Sequence, residues 1–173
     1  MADTVRHRIQ SVQRDGSIRV TWGREGDGPG EFRYPRAVAV GPDGTVMVAD
    51  FGNNRVQAFA PDGTFRRMWG RSGTGFGEFD WPLGTAADPD GDVWVADTNN
   101  SRVQRFTAAG AFVEAHGAAG DAPGEFRWPD GIAVDVAGSV YVADTGNGRM
   151  QVLRRGSTGA IDAPWRRLAS LRR

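Results

Sequence analysis

The segment VADFGNNRVQAF, beginning at Val48, returns as VADTNNSRVQRF from Val95 and VADTGNGRMQVL from Val142, at a constant spacing of 47 residues. Copies in strict register, with no insertion between them, require each unit to fold alike and to pack on its neighbour alike. That is the signature of a repeat architecture, and it constrains this chain more than any other feature. Within one period, four short apolar or alternating segments are separated by turn residues. AVAV (37–40), VMVA (46–49), RVQAF (55–59) and FRRMW (65–69) are predicted strands a to d. GPDGT, FGNN and PDGT supply the Pro, Asp, Gly and Asn that tight turns demand. Each unit therefore reads as an antiparallel meander.

The second unit offers GTAA, VWVA, RVQRF and AFVEA, and the third GIAV, VYVA and RMQVL, with no clear strand d after Arg154. Upstream, RIQSVQRDGSIRVTWG (8–23) aligns with 55–70, so the chain is predicted to open on strands c and d of a partial unit. The expected division is a partial blade at 1–23, blades at 24–70, 71–117 and 118–157, and a basic amphipathic tail at 158–173.

In combination, the GEFxxP lead-in, VAD and NNRVQ resemble the NHL repeat, the blade of NHL-type β-propellers, over roughly residues 5 to 153. The resemblance implies an all-β fold of four-stranded blades arranged radially about a channel. NHL rings usually close with about six blades, so this chain is expected to form an incomplete ring.

Composition narrows the chemistry. The chain has 21 basic and 21 acidic residues and no cysteine, so disulfides and thiolate metal sites are excluded and the net charge advertises no polyanionic partner. No run approaches the roughly 20 apolar residues of a membrane span, and the start lacks a secretory leader, which predicts a cytoplasmic protein. His7 and His116 are the only imidazoles. NHL relatives include amidating lyases that rely on several imidazoles. With two histidines in different columns, one chain cannot assemble a three-His zinc site, and no nucleophile elbow or phosphate loop is present. No catalytic residues, metal site or cofactor are predicted, and the chain is read as a non-enzyme. A fragment of an NHL-type lyase or hydrolase and a single-stranded RNA binder are the alternatives.

Positions common to every unit are read first as scaffold. Asp50, Asp97 and Asp144 close strand b, five residues before Arg55, Arg102 and Arg149 on strand c, an arrangement suited to turn N–H groups and an ion pair across the hairpin. A carboxylate ring around a hard cation is the alternative. The phenylalanine of each GEF is expected to wedge between blades. The pairs Tyr34-Pro35, Trp81-Pro82 and Trp128-Pro129 are read as core or loop packing, with base stacking as the alternative. His116 stands in the column of Trp22 and Trp69 as a tolerated replacement.

Positions that differ between units are free to recognise something. Three columns on the d-to-a and b-to-c loops change character: Arg33, Asp80 and Arg127; Arg36, Leu83 and Asp130; Phe51, Thr98 and Thr145. Mixed Arg, Asp and aromatic groups on loops held by a rigid scaffold suit a protein partner. Acids interleaved among the loop arginines weaken any nucleic-acid reading.

An incomplete ring exposes blade flanks and strand edges, so association is expected: a homodimer, a partner subunit or a larger assembly. One predicted mode has Ile18–Trp22 of one copy supplying strand d to the third blade of another. In the tail, Trp165, Leu168 and Leu171 at three-residue spacing beside Arg166 and Arg167 predict a short amphipathic helix for docking an acidic partner or touching a membrane surface.

Overall fold

The computed structural model describes residues 1–155 and the strand Ile161–Arg167. The first sheet contains β1 (Ala2–Asp3), β2 (Arg8–Val12) and β3 (Ile18–Trp22). β4 (Pro35–Val40), β5 (Val46–Asp50), β6 (Arg55–Phe59) and β7 (Phe65–Trp69) form the second. The third holds β8 (Pro82–Ala87), β9 (Val93–Asp97), β10 (Arg102–Phe106) and β11 (Phe112–His116). The fourth holds β12 (Pro129–Val134), β13 (Val140–Asp144), β14 (Arg149–Arg155) and β15 (Ile161–Arg167). Strands in each sheet follow chain order and pair antiparallel, as a meander requires. The sheets are the predicted blades, and among the described residues they do not close a ring.

Strand a starts two residues earlier than its apolar core suggests, because Pro35, Pro82 and Pro129 join the ladder across a bulge. A proline fits there, at the first residue of a strand, where no ladder donor is needed. The tight a-to-b and c-to-d turns are closed by their aspartates: the Thr45 N–H donates to Asp43 Oδ1 at 2.9 Å and the Thr64 N–H to Asp62 Oδ1 at 2.9 Å.

Two expectations about the chain ends are corrected. The first sheet has three strands rather than two, since MADT from Met1 repeats VADF from Val48 at the common spacing, and Asp3 pairs with Arg8 through a 2.9 Å bond from Nε. In the tail, Ile161–Arg167 is a strand antiparallel to β14, not part of a helix. Three-residue spacing fits a helix locally, but the outer edge of β14 offers a full row of backbone partners, and Pro164 is tolerated on an edge strand. Ile18–Trp22 pairs with β2 and β14 takes β15, so both strands invoked for strand exchange are satisfied within the chain.

Blades pack face to face, each with a leading face toward the preceding blade and a trailing face toward the next. Between the first two sheets lie Ile9, Phe32, Val46, Val48 and Phe59. Met47, Val56, Phe79, Val95 and Phe106 fill the next junction, and Trp94, Val103, Phe126, Val142 and Leu153 the third. One GEF phenylalanine, fully buried, sits in each junction as the predicted wedge. A fully buried ring of this size contributes roughly 1.5–3 kcal/mol. Its close approach fixes a glycine opposite: a Cβ on Gly23, Gly70 or Gly117 would run into the ring of Phe32, Phe79 or Phe126. An apolar cavity of about 460 Å³ lies beside the first sheet, lined by Ile9, Val12, Trp22, Val38 and Val46 among others.

Candidate functional site

The d-to-a loops and b-to-c turns meet at one end of every blade, and a single carboxylate organises each meeting point. Asp97 is fully buried. Its Oδ1 accepts the Asp80 N–H at 2.7 Å, and its Oδ2 accepts Asn100 Nδ2 at 2.9 Å, Arg102 Nε at 2.7 Å and Gln104 Nε2 at 3.0 Å. Asp50 receives the same four donors from Arg33, Asn53, Arg55 and Gln57, and Asp144 from Arg127, Asn147, Arg149 and Gln151. Four donors on two oxygens occupy the directions a hard cation would use. The carboxylates therefore hold the loops together, and no group of three or more His, Cys, Asp or Glu with metal-binding geometry occurs among the described residues. Burial pushes the Asp97 carboxyl up, against the pull of the Asp80 N–H, Asn100 and Arg102.

From these nodes the arginines reach outward. Arg102 donates through Nη1 to the Thr74 carbonyl at 2.8 Å and through Nη2 to the Gly75 and Glu78 carbonyls at 2.7 and 3.0 Å. The loop in turn folds on its own glutamate: Gly75 N–H donates to Glu78 Oε2 at 2.9 Å, and Arg71 Nε to Oε1 at 2.8 Å. Glu31 is held in the same way by Gly28 and Arg24. These donors, the glycine N–H first, hold both glutamates below their ordinary range. The loop backbone is thus fixed by the chain's own side chains.

What this scaffold presents differs from the sequence reading in one respect. Tyr34, Trp81 and Trp128, read from the sequence as core or loop packing, are not core residues: they are 50%, 49% and 62% exposed. All three sit on left-handed backbone, with φ of 50°, 58° and 50°. A bulky residue there costs roughly 1–3 kcal/mol and persists only where its surroundings impose it. The surroundings are on hand: a proline follows each residue, the Tyr34 N–H donates to His7 Nδ1 at 3.1 Å, and the Trp81 N–H to Asn54 Oδ1 at 2.9 Å. Both acceptors belong to the preceding blade. Two further rings flank the row, His7 at 4.6 Å from Tyr34 and Phe51 at 5.3 Å from Trp81, and the Arg36 guanidinium lies 5.3 Å from the centre of the Phe51 ring.

The sequence-predicted residues distribute around this row. Arg33, Arg36, Arg127 and Thr145 are exposed, and Phe51, Asp80, Leu83 and Asp130 are half-buried. Thr145 Oγ1 donates to Asp130 Oδ1 at 2.7 Å, joining two of the candidates. Thr98 is buried and turned away from solvent: its hydroxyl donates to the Pro129 carbonyl at 2.7 Å and stitches one blade to the next, as Thr4 does to Pro35 at 2.8 Å. Of the tail candidates, Trp165, Arg166 and Arg167 lie in β15, and Leu168 and Leu171 lie outside the described residues. His7 serves the loop end of the first blade, whereas His116 on β11 sits 3.1 Å from Glu114, so the two imidazoles belong to different blades.

The structure resembles β-propellers of diverse occupation. Streptogramin B lyase matches with a TM-score of 0.67 at 18% identity, covering 98% of this chain and 51% of that one. A catalytically inactive virginiamycin B lyase from Staphylococcus aureus, solved with quinupristin, matches at 0.64 and 19% identity, covering 90% of this chain and 47% of that one. The WD40 repeats of RRP9 match at 0.69 and 13% identity, covering 91% and 44%. At these identities the likeness concerns the fold, and the chain spans about half the length of these neighbours. A sequence search of curated proteins finds no match. No helix among the described residues is long and apolar enough to cross a membrane. The NHL repeat model matches residues 32–59, 79–106 and 126–153, each running from a wedge phenylalanine to the end of a strand c or its equivalent. The chain is therefore an NHL-repeat protein, built from the blades of a β-propeller.

Proposed function

We propose that this protein is a non-catalytic recognition scaffold whose loop face binds a protein partner. The observation that carries the reading is the row of Tyr34, Trp81 and Trp128, solvent-exposed on strained backbone in three successive blades. A scaffold that spends strain to keep large rings outside is set up for contact rather than for packing. Exposed aromatic and arginine side chains are the groups that dominate protein interfaces, and rigid rings lose little conformational freedom on binding. Arg33, Arg36 and Arg127 alternate with Asp80 and Asp130 around the row. That mixed pattern suits a protein epitope of both charges better than a phosphate backbone, which needs continuous positive charge. Catalysis by the lyase neighbours is a property of those proteins. Here the corner carboxylates are saturated by donors and the two imidazoles lie in different blades.

The test is selection of a displayed peptide library on the intact protein, repeated on a Tyr34→Ser, Trp81→Ser, Trp128→Ser variant. Peptides enriched on the wild type should bind the variant at least tenfold more weakly, with an unchanged far-ultraviolet spectrum. Equal binding by the variant overturns the loop-face reading. Turnover of quinupristin, or tight binding of a uridine oligonucleotide, would replace it with one of the other two classes.

A further inference from the structure

The loop end of the second sheet departs from its sister sheets. The column of Phe51 is otherwise threonine, and Thr4 and Thr98 spend their hydroxyls on stitching one blade to the next, at the Pro35 and Pro129 carbonyls. Phe51 has no hydroxyl for such a stitch. Its ring lies instead 5.3 Å from that of Trp81 on the following blade, and the Arg36 guanidinium lies over it at 5.3 Å from its centre. In the fourth sheet the same two columns hold Asp130 and Thr145, whose hydroxyl ties the carboxylate at 2.7 Å. Arg33 joins the group through the turn after Phe51: the Gly52 N–H donates to the Arg33 carbonyl at 2.8 Å, and a Cβ on Gly52 would stand 2.8 Å from the Arg33 Cβ. Both arginines are exposed. Among the described residues, neither guanidinium forms a hydrogen bond or an ion pair. Asp50, the corner carboxylate of the same sheet, is fully buried and taken up by Arg55 at 2.7 Å.

We propose that the corner formed by Arg33, Arg36, Phe51 and Trp81 takes an acidic side chain of the protein partner, an aspartate or glutamate flanked by apolar residues. The inference rests on the loop-face reading and names the chemistry that face selects. A guanidinium held over a ring keeps its N–H edge open, and that edge matches a carboxylate through two parallel hydrogen bonds. Rings around such a pair exclude water from it and offer apolar contact to the residues on either side of the acid. Two cations with no internal partner make the complementary ligand anionic. A run of phosphates fits less well, because the column of Arg33 continues with Asp80 in the next sheet, whose carboxylate receives only the Asn99 amide, at 3.3 Å. A polyanion leaving the corner would meet that negative charge. The same aspartate orients the epitope, with its acidic residue at the second sheet and a neutral or basic one over the third.

The test is selection of a displayed library of random peptides on the intact protein, on an Arg33→Gln, Arg36→Gln variant and on an Arg33→Glu, Arg36→Glu variant. Both side chains are exposed, so the far-ultraviolet spectrum should not change in either variant. Peptides enriched on the wild type should carry Asp or Glu at one position well above its frequency in the library. A synthetic peptide of that sequence should bind the glutamine variant about tenfold more weakly. Neutralising its acid should weaken binding to the wild type by a similar factor and leave binding to the glutamine variant unchanged, as a double-mutant cycle requires of a direct pair. The glutamate variant should enrich Lys or Arg at the same position. Enrichment that depends on Tyr34, Trp81 and Trp128 but shows no acidic preference, or that both arginine variants preserve, overturns this inference and leaves the loop-face reading standing. Enrichment indifferent to the aromatic row, or none at all, overturns both.

Discussion

Asp97 and Arg102 lie at the centre of a node in which every lone pair is spoken for, so their contributions cannot be independent. Removing one partner leaves a buried charge uncompensated, which costs about 3–5 kcal/mol, while removing both leaves less to satisfy. Urea unfolding of Asp97→Ala, Arg102→Ala and the double variant should therefore give a double-mutant loss well below the sum of the single losses. The glutamates of the d-to-a loops give a complementary pH dependence. Glu31 and Glu78 are depressed chiefly by the Gly28 and Gly75 N–H groups, so their stabilisation is complete above the ordinary unfolded glutamate range and is lost as pH falls through the lower folded value. The amide proton shifts of Gly28 and Gly75 should titrate with midpoints below the ordinary glutamate value of about 4.3; a midpoint at or above it contradicts the assignment. These nodes were legible in the sequence because Asp and Arg recur five residues apart at a hairpin corner. The outward turn of Tyr34, Trp81 and Trp128 was not, since residue type argues for burial and a left-handed φ is set by the neighbouring blade, through His7 and Asn54.

Strands show the same division between local and distant causes. Strands b and c of the whole units were readable from alternation and turn chemistry, and they fold where expected. β1 was overlooked because its copy of the repeat begins with Met1 in place of valine and carries His7 where Asn54 stands, and β15 because its spacing imitates a helix while its pairing depends on the edge of β14. The approach of neighbouring inner strands is likewise invisible in a single unit. A Cβ at Gly84 on β8 would collide with the Asp130 carbonyl of β12, whereas at Gly131, in the same column, it would meet only the Ala143 Cβ at 3.2 Å. Gly84→Ala should lower stability by about 1–3 kcal/mol through overpacking. Gly131→Ala should change it much less, as read from paired thermal melts.

Across the whole molecule, protection should follow how many blades cover a strand. Val46–Asp50 and Val93–Asp97 are buried at every residue, whereas Val140–Asp144 alternates buried with half-buried positions. In a chain of units coupled to nearest neighbours, local opening is cheapest at an uncovered flank. Hydrogen exchange should therefore be slowest in β5 and β9 and faster in β13; uniform protection across the three strands contradicts this picture. The phenylalanine that seals each junction sits in the loop preceding its own blade, and the glycine that makes room for it ends the blade before. A stretch copied from one such glycine to the next carries both its own seal and the socket for its successor, so a chain of this kind can lengthen or shorten by whole units in one genetic step without redesigning any joint.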